Sequence, residues 1–508
     1  MNLEFELFPN LPRLAWAARL RREARAVRIL HGPWVETRED CFFEGAWDGP
    51  LEGCRFDQAL TFVGSGGRLA NDGILFATPS HTFERLHSVR TDDELFVSNS
   101  LAFLLALSGE LLDPQHRHYY LDFLDYYRAG IGVTEKRLRL AGHRFMELHD
   151  CCNLAAQPDL TTRRVEKPLG APPRDYGDYV SFVSRTAEQV VANANDSARR
   201  WRYRPVTSLS QGYDTTAVSA LAAQAGCREA VTFRKSNSKY GYEDDSGSRI
   251  GPYLGLRVTE YERTDYDRLP ERRDDEFYVE PDGVDRSMVL MEKQLVGALL
   301  FTGRFGERLW PRGSVLSWGL QGDAGEPLFQ IPSCFKLGGC ALGEFRMKTG
   351  FLHFPLATSG GLHAPAIQAI TDSKAMRPWS IGGGYDRPIA RRIAEEAGVP
   401  RHLFGQVKKG GPRVRGAERR SWINRTIISL WDATYWPPLR ILTLRVIGNR
   451  SNPAWRRGSF AVQRGVERMM QSYLSAIAGL VGRLAGTGSN EHAGQGASGQ
   501  LFEPRKGS

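Results

Sequence analysis

Apolar and polar positions follow two rhythms along this chain, and the change falls near residue 165. Up to there, short β-prone stretches such as GILFAT at 73–78 and ELFVSNS at 94–100 are separated by turn signals, GSGG at 64–67, NDG at 71–73 and RTDD at 90–93. This predicts a mostly β domain over 1–165. Prolines at 158, 168, 172 and 173 mark a linker. Beyond it, Tyr179, Phe182, Val183, Ala187, Val190 and Val191 recur at helical spacing within 176–200. An alternation follows: PVTSLS (205–210) reads as a strand, TAVSALAAQAG (216–226) as a helix, EAVTF (229–233) as a strand, SRIGPYLG (248–255) as a helix and RVTEY (257–261) as a strand. GALLFTG (297–303) and SVLSWGL (314–320) read as further strands, and 365–400 as helical. Such alternation predicts an α/β domain over 175–484 with a doubly wound parallel sheet. The Gly/Ser-rich tail, 485–508, is expected to be disordered.

Composition bounds the partners. The 508 residues, 41% apolar and 25% charged, suit a folded chain of about two domains. No run of roughly 18 apolar residues occurs and the amino terminus lacks the features of a secretory signal, so a cytoplasmic enzyme without a membrane span is expected. The seven cysteines, 41, 54, 151, 152, 227, 334 and 340, form no C-x-x-C pair, unlike a zinc site or disulfide framework. Most read as small buried hydrophobes, Cys151–Cys152 included. Charge is uneven: 401–457 carries 13 Lys and Arg against Glu418 and Asp432, more than the whole net +9. That region is either a solvated basic face or one that attracts polyanions such as nucleotide phosphates, nucleic acid or anionic lipid. Within it, 422–446 interleaves Trp422, Trp431, Tyr435 and Trp436 with arginines. Apolar packing of terminal helices accounts for these aromatics more simply than base stacking does.

The segment with most chemical content is PVTSLSQGYDTTAVSALAAQAG, 205–226. A buried strand ends at Leu209, a Gly-containing polar turn follows, and a helix starts near Asp214 or Thr215. Free N–H groups and the helix dipole then favour an anion at the turn. Ser210, Thr215 and Thr216 supply hydroxyls, Gly212 permits close backbone approach, and Asp214 can hold Mg²⁺ against a phosphate. The plainer reading is a strand-turn-helix corner capped by Asp214.

SLSQGYDTTAVSALA resembles the S-G-G-x-D-S pyrophosphate loop of the ATP-pyrophosphatase (PP-loop) superfamily, in the form seen in asparagine synthetases and β-lactam synthetases. Gln211 stands where the first Gly is usual, and Thr215 replaces Ser. Three later segments resemble the same family in order. LLFTGRFGERLW, 299–310, is similar to its T-G-x-G-x-D-E segment, with Gly303 and Gly306 in the turn and Glu307 at or beside the second magnesium-binding acid. GEFRMKTGFLHFPLA, 343–357, resembles asparagine-synthase-like proteins of bacterial biosynthetic loci. DRPIARRIAEEAGVPRHLFGQVKKGG, 386–411, is similar to the helix and R-x-K-x-G stretch whose Lys stabilises the transition state; this implies Lys408, with Lys409 the close alternative.

The resemblance implies an ATP-dependent ligase: a substrate carboxylate is adenylated with release of pyrophosphate, and a nitrogen nucleophile then displaces AMP to form an amide. It implies ATP and Mg²⁺ as cofactors, Leu209, Ser210, Gln211, Gly212, Tyr213, Asp214, Thr215, Thr216, Phe233 and Gly303 at ATP and pyrophosphate, and Asp214 with Glu307 at the metal. The partners implied are a small-molecule or peptide carboxylate and an amine; nucleic acid is not expected, and a homodimer is left open. The alternatives are a degenerate nucleotide-binding protein without chemistry and a tRNA-modifying PP-loop enzyme. In the family the amino-terminal position holds a glutamine-amidotransferase domain with a terminal cysteine, whereas position 2 is Asn and the first cysteine is Cys41. TDDELFVSNSLAFLLAL, 91–107, resembles the end of that fold, so a degenerate domain unable to hydrolyse glutamine is expected. GSGG at 64–67 reads as a turn, and His81 with His87 lack a carboxylate pattern for metal binding. Glu243, Asp244 and Asp245 read as a solvated acidic loop or as a contact to substrate amine or magnesium.

Overall fold

The computed structural model describes residues 1–70, 73–113, 116, 136–234, 244–269, 286–303, 306, 310, 342–383, 385–407, 425–428 and 444–447. Glu307, Lys408, Lys409, Glu243, the expected strand at 314–320 and the tail at 485–508 lie outside these residues. Everything described belongs to one compact unit, 1–436 with 441–450.

The amino-terminal part is mostly β, as its short β-prone stretches predict. Its described strands are β1 (Asn2–Leu7), β2 (Trp16–Arg21), β3 (Ala26–His31), β4 (Glu36–Thr37), β5 (Cys41–Trp47), β6 (Phe62–Ala70), β7 (Gly73–Ala77), β8 (Leu86–Arg90), β9 (Glu94–Ser98), β10 (Lys136–Arg139), β11 (Phe145–His149), β12 (Cys152–Ala156) and β13 (Thr162–Glu166), and the α-helix among its described residues is α1 (Leu101–Ser108). They form a seven-stranded sheet, β1-β3-β2-β9-β8-β11-β10, and a six-stranded sheet, β13-β12-β7-β6-β5-β4. One core joins the inner faces: Trp16 and Leu20 of the first sheet meet Phe42, Phe76 and Leu154 of the second. The Trp16 ring lies 4.9 Å from Phe42 and 6.0 Å from Phe76. Side chains alternating between faces make this possible.

GSGG at 64–67 is not a turn; it lies inside β6. A Cβ on Gly64 (φ +108°) would sit 2.0 Å from the Glu44 carbonyl oxygen, and one on Gly66 2.4 Å from that of Phe42. These glycines therefore serve close approach of β5 to β6, and not chain reversal.

After the proline-marked linker, α2 (Tyr176–Ala194) begins at Asp175, whose carboxylate accepts from the Asp178 N–H. A parallel sheet follows, made by β14 (Arg204–Ser208), β15 (Glu229–Arg234), β16 (Arg257–Glu262), β17 (Ala298–Phe301) and β18 (Leu352–Phe354). Its order is β16-β15-β14-β17-β18, and every pairing is parallel. The chain builds outward from β14 to β16 and then returns to the other side of β14, so the succession reverses between β14 and β17. The α-helices among the described residues after α2 are α3 (Tyr213–Gln224), α4 (Glu292–Leu295), α5 (Gly343–Thr349), α6 (Ala364–Asp372) and α7 (Pro388–Glu396).

Two expectations need correction. SRIGPYLG holds only a short 3-10 turn, Gly251–Leu254, because Gly255 adopts φ +64° and ends it after one turn. The expected terminal helices within 422–446 are not what is described there: Arg425–Ile428 (β19) and Leu444–Ile447 (β20) pair antiparallel. Thr426, Ile427, Ile428, Val446 and Ile447 are β-branched, and their stiffness favours a strand. No helix among the described residues is long and apolar enough to cross a membrane.

Buried charges tie the two parts together. Arg346 on α5 donates to both Glu44 carboxylate oxygens on β5, at 2.6 and 3.0 Å, and its Nε lies 2.9 Å from Glu84. Glu44 also accepts from Ser65 Oγ at 2.7 Å and Asn99 Nδ2 at 3.2 Å. Arg199, just past α2, donates to Glu36 at 2.8 Å and to the Gly45 carbonyl at 2.8 Å.

Candidate functional site

The expected phosphate loop lies between β14 and α3, beside the reversal in strand order. Open parallel sheets bind ligands in the crevice that such a reversal creates at the carboxyl ends of the strands. Gly212, not Asp214, is the N-cap of α3, with extended backbone (φ −75°, ψ 154°) and no side-chain cap. Asp214 instead sits in the first turn, where its charge complements the helix dipole.

The loop's hydroxyls are mutually ordered. Ser210 Oγ and Thr215 Oγ1 are 2.8 Å apart, and the Gly212 N–H donates to Ser210 Oγ at 3.1 Å. Thr216 is fully buried and donates to the Gly212 carbonyl at 2.8 Å and the Ser210 carbonyl at 3.1 Å, so its hydroxyl braces the turn. A Cβ added to Gly212 would meet Ser210 Oγ at 3.3 Å, Thr215 Oγ1 at 3.7 Å and Tyr385 Oη at 4.0 Å. Gly212 thus leaves a hollow bordered by three hydroxyls, a donor set that suits phosphate oxygens. Gln211 directs its amide to the Ser246 carbonyl at 3.2 Å, while its N–H donates to the Asp245 carbonyl at 3.1 Å. The acidic segment thereby meets the loop through backbone, and Asp244 accepts from the Ser246 N–H at 2.8 Å. Leu209 is buried, with its N–H on the Val231 carbonyl.

The segment after β17 closes on the loop. A Cβ on Gly303 would lie 2.5 Å from the Thr215 nitrogen and 2.5 Å from the Asp214 carbonyl carbon, and one on Gly306 2.9 Å from the Asp214 carboxylate. The tertiary fold therefore joins two segments that the sequence separates by about 90 residues. Phe233, half-buried near the end of β15, lies 6.1 Å from the Tyr261 ring with the Arg263 guanidinium 5.0 Å over it.

Helix α7 anchors the same loop from a third direction. Buried Arg391 donates to Tyr213 Oη and stacks on its ring at 4.9 Å. The Phe404 ring is 5.9 Å from Tyr213, and the Gly405 N–H donates to the Gln211 carbonyl at 2.8 Å. That contact lies three residues ahead of Lys408.

Two neighbours escaped the sequence reading. Arg387 lies 3.8 Å from Asp214, and Tyr385 has its phenol pushed up by burial and then by Asp214. Arg387 directly precedes Pro388, which opens α7, and falls within the 386–411 segment without standing out there as a site residue; Tyr385 lies just ahead of that segment. His81 is buried and held neutral, its pKa lowered to about 3 by burial and then by Arg346. Cys41, Cys54, Cys151, Cys152 and Cys227 are buried free thiols. Among the described residues no group of three or more His, Cys, Asp or Glu gathers to hold a metal. No protein-family model matches the chain, and no curated protein matches it by sequence.

Proposed function

We propose that the chain is an ATP-dependent ligase of the PP-loop, asparagine synthetase-like kind, which adenylates a substrate carboxylate and passes the acyl group to a nitrogen nucleophile. The observation that carries this reading is the packing of Gly303 and Gly306 onto Asp214 beside the reversal in strand order, where a doubly wound sheet would bind its nucleotide. The Ser210 and Thr215 hydroxyls and the first N–H groups of α3 hold the pyrophosphate of ATP, with Thr216 and Gln211 fixing the turn. Asp214, with Glu307 as its expected partner, holds Mg²⁺, which neutralises the leaving pyrophosphate when bound. Phe233 flanks the nucleotide from the adjacent strand. Lys408 acts on charge developing at the reacting centre, a contribution worth several kcal/mol in such sites.

Arg387 favours a second reading, nucleotide binding without chemistry, since a guanidinium 3.8 Å from Asp214 can compensate that carboxylate without a divalent ion. Two measurements test the proposal. Calorimetry is expected to find ATP–Mg²⁺ binding to the wild type and its loss in Asp214→Ala; equal binding by both would refute the loop assignment. Pyrophosphate release with a panel of carboxylic acids separates ligase from binder.

A further inference from the structure

A cavity of about 450 Å³, with no phosphate-loop residue in its lining, is walled in part by β6, the linker at 167–174, α2 and the turn at 358–363 after β18. Its volume is in the range of small-molecule pockets. Phe62, Phe182 and Phe354 make its walls apolar, and Lys167 enters it from the linker. Three of the chain's exposed large hydrophobics, Leu60 (40% exposed), Leu169 (61%) and Leu362 (48%), line it as well. Apolar surface therefore reaches the cavity's solvent-facing rim.

Its charge is one-sided. Lys167, Arg174 and Arg185 line it against one acid, Asp178, and Arg174 already pairs with Asp178 at 2.7 Å. Lys167 donates to Asn153 Oδ1 at 3.2 Å and lies 5.6 Å over the Phe62 ring. Among the described residues it makes no ion pair, and two of its three donors stay available. Burial pushes its ammonium down to about 8, ahead of the weaker opposing influence of Cys151, Cys152, Asp57 and Asp48. A cation in an apolar cavity favours an anion that brings its own apolar surface.

We propose that this cavity binds a monocarboxylate with an apolar body, its carboxylate on Lys167 and its body between the phenylalanines. The proposal rests on the cavity alone and needs no nucleotide. It is tested on the full-length protein by calorimetry and ligand-detected NMR with 4-phenylbutyrate, its neutral amide and the corresponding phosphonate. The expected result is that the acid binds at least about tenfold more tightly than the amide, the scale of one charge-assisted hydrogen bond. Lys167→Met should bring acid and amide to equal affinity without lowering the melting temperature. Leu362→Glu, at an exposed position on the rim, should weaken the acid severalfold more than it weakens the amide. Asp214→Ala should change none of these values, so failure here and failure of the nucleotide reading are read separately. Equal binding of acid and amide to the wild type, an acid preference that survives Lys167→Met, or binding of the phosphonate without the carboxylate would each overturn the proposal. If Lys167→Met fails to fold, the acid-to-amide ratio and Leu362→Glu still decide it.

Discussion

Replacing Arg346 with Met should cost this chain more than most single substitutions, and the structure supplies the reason. The guanidinium is buried with Glu44 at 2.6 and 3.0 Å and Glu84 at 2.9 Å. Met fills a similar volume, so packing changes little, but two carboxylates lose their cation in a place water barely reaches. Breaking a buried pair from one side typically costs roughly 3–5 kcal/mol, a large share of the about 5–15 kcal/mol that keeps a domain folded. Urea unfolding followed by circular dichroism and tryptophan fluorescence measures it; Trp16 is a suitable reporter, since its indole N–H donates to Ser65 Oγ at 2.9 Å, and Ser65 donates to Glu44 at 2.7 Å. Partial rescue is expected as well. Glu44→Gln in the Arg346→Met background removes one stranded charge and should restore about 1–3 kcal/mol, whereas the same change alone destabilises. An Arg346→Met variant within about 1 kcal/mol of wild type at unchanged slope would refute the claim that this network joins the two parts.

Other outcomes follow from the same contacts. Gly303→Ala forces a Cβ to within 2.5 Å of loop backbone and should destabilise by about 1–3 kcal/mol while weakening ATP–Mg²⁺ binding; an unchanged affinity by calorimetry would separate this segment from the site. Burial holds the Cys151, Cys152 and Cys227 thiols above their usual range, the latter two at about 11, so iodoacetamide at pH 8 should leave all three unmodified until denaturant is added, as read by peptide mass spectrometry. The Cys41 thiol is likewise pushed up, chiefly by its hydrogen bond with Cys54, and purified protein should release no ammonia from glutamine before or after Cys41→Ser. Lys408→Ala should lower turnover by a large factor with little change in melting temperature or ATP affinity, and Lys409→Ala far less; the reverse order in steady-state assays would move the catalytic role by one residue.

Local pattern alone determined much of this protein. The strands at 204–208, 229–234, 257–262 and 298–301, the helices at 176–194 and 213–224 and the mostly β amino-terminal part follow from local composition, turn signals and spacing, since a residue's face is set by its spacing along the chain. The strand-turn-helix at Ser210–Thr216 was legible for the same reason. What the tertiary structure decided is everything that depends on distant backbone meeting. GSGG looked like a turn because glycine permits reversal and close approach equally, and only the neighbouring β5 distinguishes them. Gly303 against Asp214, Arg387 beside it, and Gly405 on Gln211 depend on strand order, which no local rhythm encodes. The Lys167 cavity is the extreme case: its walls come from separate stretches spread between Leu60 and His363, and no single one of them has the composition of a binding site.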